Sequence, residues 1–268
     1  GTLVHGEVQQ WLRDNASSME VYVSLDGKRE MHNKNRCDSY DKIDLDFFRK
    51  EYPFAKMTVT RETLPGLAEG VIELHEQGFE VSANLGYGIP WEENDPEILS
   101  EQLLRLIDYY MAHPQYKPAT VLNLAIMDMD PEGEHLKRFC GVGPLMKSYD
   151  VDGQVYPCHA FAPLCLGKEK AEKAKSLDFT CPLTKDMLDE KCRNCPAVGV
   201  CPTCYGINFG ASGNVYHINE DHCRMMKVQF LANALFKYKL YQAGRLSLTP
   251  EEELRLLRNI QAVQKLAQ

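Results

Sequence analysis

The stretch Cys192-Arg-Asn-Cys195-Pro-Ala-Val-Gly-Val-Cys201-Pro-Thr-Cys204 places four thiols within thirteen residues. Pro196, Gly199, Pro202 and Gly206 punctuate it, so the thiols are set on short turns. Cluster ligation needs several thiolates converging on one small volume, which tight turns deliver and helices do not. Soft thiolates select iron–sulfur clusters or zinc over hard cations. Moving outward, Cys140 and Cys158 lie upstream and Cys223 downstream. The segment Asp150-Val-Asp-Gly-Gln-Val-Tyr-Pro-Cys158 reads as a hairpin turning at Asp152-Gly153, with Cys158 at the end of its second strand. Two zinc sites of four thiolates each would draw on the same cysteines, so iron–sulfur and zinc both remain open at this stage.

The wider distribution of cysteine supports metal over disulfides. Of ten cysteines, only Cys37 precedes Cys140, and the other nine fall between Cys140 and Cys223. Disulfide scaffolds are small, core-poor chains. Here a dense cluster follows a cysteine-poor half with ordinary α/β patterning, which suits a reducing cytoplasm. The net charge of −8, with both signs interspersed, argues against a nucleic-acid partner. No apolar run reaches the length of a membrane span, and no signal peptide is visible.

The first half alternates strands and helices. Residues 20–24, 55–60 and 79–85 read as strands, and 120–127 as one more. Leu64, Leu67, Ala68, Val71 and Leu74 recur at helical spacing before Gly78, and Leu99, Leu103, Leu106 and Tyr110 mark a helix over 96–111. Such alternation implies a parallel sheet amounting to half a barrel at most. A polar turn over Asp128–Glu134 sets a boundary. Residues 1–130, 131–230 and 231–268 are then a partial barrel, a cysteine-rich domain and a helical extension. The cysteine-rich part shows little apolar periodicity, so bound metal is expected to serve as its core. Two helices come after Cys223, the second opened by Thr249, Pro250 and Glu252, with Leu256, Ile260 and Val263 on its apolar stripe.

A Cys, a Gly-x4-Cys, a Cys-x2-Cys-x5-Cys-x3-Cys and a final Cys form the SPASM pattern of radical S-adenosylmethionine (SAM) peptide and protein maturases. The chain resembles it through Cys140, Gly153, Cys158, Cys192, Cys195, Cys201, Cys204 and Cys223, with one departure: Pro202 and Thr203 leave a gap of two before Cys204. Ser24-Leu-Asp26-Gly27, His32 and Arg36 are similar to the fourth strand and adjoining loop of the radical SAM barrel, and Gly1-Thr2-Leu3 to the segment just after the third strand. The resemblance implies two auxiliary [4Fe–4S] clusters. Cys192, Cys195, Cys201 and Cys223 would hold one. Cys140, Cys158 and Cys204 would hold the other, whose fourth position is Cys165, Cys181 or open.

The resemblance further implies that Ser24, Asp26 and Arg36 contact SAM, with Asn84 and Leu85 as weaker candidates. Local turn bonding explains Ser24, Asp26 and Asn84 equally. His159 occupies the position of an Asp that takes a proton from substrate in sulfatase-maturating relatives, and is a general base or a residue packed beside the cluster. His217 and His222 are cluster neighbours or ordinary surface histidines. A Cys-x3-Cys-x2-Cys segment that would bind the SAM-reducing cluster is not in this sequence, nor are the first barrel strands. The expectation is therefore a portion of a longer enzyme, inactive alone. In the complete enzyme a 5′-deoxyadenosyl radical abstracts hydrogen from a peptide or protein, with a ferredoxin or flavodoxin as reductant. Alternatives are a cluster- or zinc-stabilised peptide-binding module and an electron-transfer protein.

Overall fold

The computed structural model describes residues 1–130 and 136–267. The polar turn expected over Asp128–Glu134 lies, from position 131 on, outside them. The chain packs as two compact units, Gly1–Leu124 with Leu235–Leu246, and Ala125–Ala234 with Ser247–Gln268.

The first unit is built on three parallel strands in the order β1 (Val23–Ser24), β2 (Phe54–Val59), β3 (Glu80–Leu85). In register, Ala55 faces Val81, Met57 faces Ala83 and Val59 faces Leu85, and all six are buried. The alternate residues Lys56, Thr58, Ser82 and Asn84 are exposed or half-buried. A period of two therefore splits this sheet into an apolar face and a polar one. Helices α1 (Glu7–Asp14), α2 (Arg29–Asn35), α3 (Leu45–Glu51), α4 (Leu67–Glu76) and α5 (Asp95–Ala112) complete the unit. Leu67, Ala68, Val71 and Leu74 of α4 and Leu99, Leu103 and Leu106 of α5 are fully buried, as their spacing predicts. Gly78 follows α4 at φ +93°, a conformation only glycine adopts cheaply.

Two strand expectations change. The ladder of β1 stops after Leu25, because the Asp26 carboxylate takes the next backbone donor, Thr58 N–H, at 2.8 Å. Residues 120–127 are two 3-10 turns, Thr120–Leu122 and Ile126–Asp128, instead of a strand. Pro118 has no N–H, the Ala119 N–H goes to the Tyr110 hydroxyl at 2.9 Å, and Thr120 Oγ1 donates to the Ala83 carbonyl at 2.7 Å. A side chain thus occupies the place of a ladder bond, while Val121, Leu122 and Ile126 remain buried.

The second unit opens with the antiparallel hairpin β4 (Ser148–Tyr149) and β5 (Val155–Tyr156). Its turn runs through Asp152-Gly153 as expected, with Gly153 at φ +74° and a 2.9 Å bond from Gly153 N–H to Asp150 O. Four short helices come next in the chain: α6 (Pro163–Leu166), α7 (Lys168–Ala174), α8 (Glu190–Arg193) and α9 (Tyr205–Ser212). Val142, Tyr156, Phe161, Phe179, Tyr205 and Phe209 form an apolar core among them. That corrects the expectation of a core supplied by metal: the aromatic residues are too irregularly spaced to register as periodicity, yet they converge in space.

Helix α10 (Glu220–Gln242) begins before Cys223 rather than after it, and passes from the second unit into the first. Helix α11 (Pro250–Gln264) has the full capping box, Thr249 Oγ1 accepting from Glu252 N–H and Glu252 Oε2 accepting from Thr249 N–H. Asn259 on α11 donates to the carbonyls of Ile126 at 2.8 Å and Met129 at 3.3 Å, fixing that turn. No helix among the described residues is long and apolar enough to cross a membrane.

Candidate metal centre

Cys192, Cys195, Cys201 and Cys223 line one cavity of about 550 Å³ in the second unit. Each reaches it from a different local element. Cys192 sits in the single turn of α8, its N–H bonded to Asp189 O at 2.9 Å. Cys195 closes the next turn through its N–H to Cys192 O at 3.2 Å, and the 3-10 turn Val198–Val200 delivers Cys201. Cys223 lies in the first turn of α10. Cys192 and Cys223 thus lie in the first turns of helices, where the sequence predicts loops. That end of a helix also favours a thiolate.

Two clamps hold α8 against the start of α10. The Asp189 carboxylate accepts from Ile218 N–H at 3.0 Å and from His217 Nδ1 at 3.2 Å. Lys191 Nζ pairs with Glu220 at 2.8 Å. Burial, then the neighbouring thiols Cys195 and Cys223, push the Cys192 thiol up to about 12. Cys201 is raised well above its ordinary value by burial and by Cys195, Cys192 and Cys223, and burial raises Cys195 and Cys223 as well. Lys191 and Lys227 pull Cys223 the other way. Four thiols whose ionisation is opposed by burial and by one another become thiolates together only around a cation, and this donor set fits a soft metal centre. Among the described residues no three His, Cys, Asp or Glu side chains converge as tightly as a single metal ion requires.

Cys140, Cys158 and Cys204 gather elsewhere in the unit, against the aromatic core. Burial raises Cys158, with the Cys204 and Cys140 thiols adding to it. Burial likewise raises Cys204, with Cys140 and Cys165 adding. Cys181 is held by Arg138, whose Nη1 donates to the Cys181 carbonyl at 2.7 Å and whose Nη2 lies 3.8 Å from its sulfur. His159 is exposed beside Cys158. His222 Nε2 lies 2.9 Å from the Pro202 carbonyl, so it braces the loop between Cys201 and Cys204.

The remaining sequence candidates are in the first unit. Ser24 ends β1 half-buried. Asp26 is 1% exposed and accepts from Arg36 Nε at 2.8 Å and Nη2 at 3.1 Å, from Asn35 at 3.2 Å and from Thr58 N–H. Its carboxylate is therefore engaged in fixing Arg36, whose side chain stays 32% exposed. Asn84 is on the exposed polar face at the end of β3, and Leu85 is buried on the apolar one. Sequence reasoning passed over Asp189, Lys191 and Lys227. Lys191 adjoins Cys192, and Lys227 falls one helical turn after Cys223, a signal that becomes readable once the start of α10 is known.

No family model and no curated protein matches the chain. A solved structure, native anSMEcpe with bound AdoMet, an anaerobic sulfatase-maturating enzyme of the radical SAM type, does match. The two share 17% identity and superpose with a TM-score of 0.61 over 92% of this chain and 73% of that one. The chain shares the fold of a radical SAM enzyme over most of its length.

Proposed function

We propose that this chain is the C-terminal portion of a radical SAM/SPASM enzyme that modifies a peptide or protein by hydrogen abstraction. The observation that carries the reading is four cysteines lining one cavity within a fold shared with a radical SAM enzyme. In this reading residues 131–230 form the auxiliary-cluster domain. Cys192, Cys195, Cys201 and Cys223 hold one [4Fe–4S] cluster, and Cys140, Cys158 and Cys204 supply ligands to a second. Such clusters supply redox capacity or a Lewis-acidic iron when bound. Lys191 and Lys227 offset the negative charge of the thiolate set. Tyr205 and Phe209 shield the second set from water.

On the polar face of the sheet, Ser24, Arg36 and Asn84 offer hydrogen-bond groups to SAM. Asp26 orients Arg36, and Leu85 contributes backbone only. His159, exposed beside Cys158, takes a proton from substrate in this reading. A peptide substrate, a small ferredoxin- or flavodoxin-like reductant and a cytoplasmic setting complete the reading.

Anaerobic reconstitution tests it. About eight iron and about eight sulfide per chain, with broad visible absorption, are expected for two cubanes. A colourless protein carrying zinc would sink the redox reading in favour of a metal-held binding module.

A further inference from the structure

Nine cysteines crowd the second half of the sequence, and seven follow the SPASM order, with the one shortened gap before Cys204. Cys165 and Cys181 are left over, and the fold treats them differently. Helix α9 starts immediately after Cys204 and runs along the stretch C-terminal to Cys158. Two glycines one turn apart make this approach possible. A Cβ on Gly206 would stand 2.6 Å from Ala160 Cβ and 2.9 Å from Ala160 O, and one on Gly210 would stand 2.8 Å from Leu166 Cδ2. Gly206 has no room for a side chain against the Ala160 backbone, so the stretch after Cys158 lies directly on α9, and at Gly210 the tip of the Leu166 side chain fills the space. Lys170 Nζ adds a 2.5 Å bond to the Gly210 carbonyl. The backbone turns back at Ala162, whose carbonyl accepts from Cys165 N–H at 2.9 Å and Leu166 N–H at 3.1 Å. One contact, Ala160 on Gly206, sets Cys158 beside Cys204. The other, Leu166 on Gly210, brings α6 and with it Cys165 to the same helix.

We infer that Cys165, carried on α6, is the fourth thiolate of the Cys140–Cys158–Cys204 set, closing a site the SPASM spacing leaves one ligand short. The inference rests on the cluster reading given above. Leu166, the neighbour of Cys165, packs with Cys140 and Cys204 against the same aromatic core. Cys181 has a different occupation: Arg138 grips its carbonyl and sulfur, and the Tyr216 hydroxyl, 2.9 Å from Arg138 Nη2, holds that guanidinium in turn. Cys165 is solvent-exposed, so as a ligand it closes the set from the solvent side.

The test uses the full chain, reconstituted anaerobically as wild type, Cys165→Ala and Cys181→Ala, then mildly oxidised. A cubane with three protein thiolates has one labile iron. Cys165→Ala is expected to lose about one iron per chain and develop the electron paramagnetic resonance signal of a three-iron cluster, while wild type and Cys181→Ala keep theirs. The same signal in wild type, or in Cys181→Ala but not Cys165→Ala, overturns the inference and leaves the two-cluster reading standing. A wild type that takes up no iron overturns the reading beneath it. Alkylation gives a second readout: Cys165 should react rapidly before loading and be protected after it, with exposed Cys37 reactive throughout. A Cys165 that stays as reactive as Cys37 after loading overturns the assignment.

Discussion

The two thiol groups of the second unit sit in opposite surroundings. Cys192, Cys195, Cys201 and Cys223 line a cavity and are joined by turns, one helix start and two polar clamps. Cys140, Cys158 and Cys204 back onto a packed aromatic core of Phe161, Phe179, Tyr205 and Phe209. Thiols raised by burial and by one another add no cohesion of their own without a cation. In the proposed reading the cavity group would gain much of its order from metal, whereas the aromatic group has apolar packing to fall back on. The difference teaches that a dense cysteine motif does not make metal the sole core of a segment.

The largest test of that contrast is Cys201→Ser. Iron should fall from about eight to about four per chain, and hydrogen exchange should quicken across 189–201 and 218–227 while the β4–β5 hairpin stays protected. Equal quickening in the hairpin would break the contrast. Phe161→Ala strikes the other side. Phe161 is fully buried among Phe179 and Phe209, at ring-centroid distances of 5.7 and 6.0 Å. Its truncation should cost about 3–5 kcal/mol in denaturant unfolding. The iron bound by the cavity group should be kept at low denaturant. Loss of all iron in this variant would mean that the two groups do not hold independently.

How much of this was readable beforehand depends on how local each signal is. The hairpin turned at Asp152-Gly153 and the capping box at Thr249 and Glu252 are written in adjacent residues, and both are present. The buried stripe of α4 is set by its spacing. The segment 120–127 misled because its apolar content is real, while its hydrogen bonds are spent through Thr120 Oγ1 and the Tyr110 hydroxyl, which no periodicity reveals. The start of α10 was hidden because its first turn, Glu220 and Asp221, has no apolar stripe. At the site, the cysteines stood out by spacing. Asp189, which ties the Cys192 turn to Ile218 across 29 positions, had no sequence signature at all.

Alkaline pH gives a finer test, whose slope differs between the metal-free and loaded chains. In the folded metal-free chain the Cys192 thiol is raised from 9.0 to about 12, chiefly by burial. A folded value above the unfolded one means that the stabilisation is fully present below about pH 9 and is lost as pH climbs toward 12. For Cys192 alone each pH unit in that window costs about 1.4 kcal/mol. The melting temperature of the chelator-treated chain should therefore fall steadily above pH 9, and Cys192→Ser should flatten the slope. With metal bound the thiolate is the form that folding needs, so the loaded chain should hold its melting temperature across the same window. Parallel curves for loaded and metal-free protein would show that these thiols never reach the metal, and would remove the distinction between the cavity group and the aromatic one.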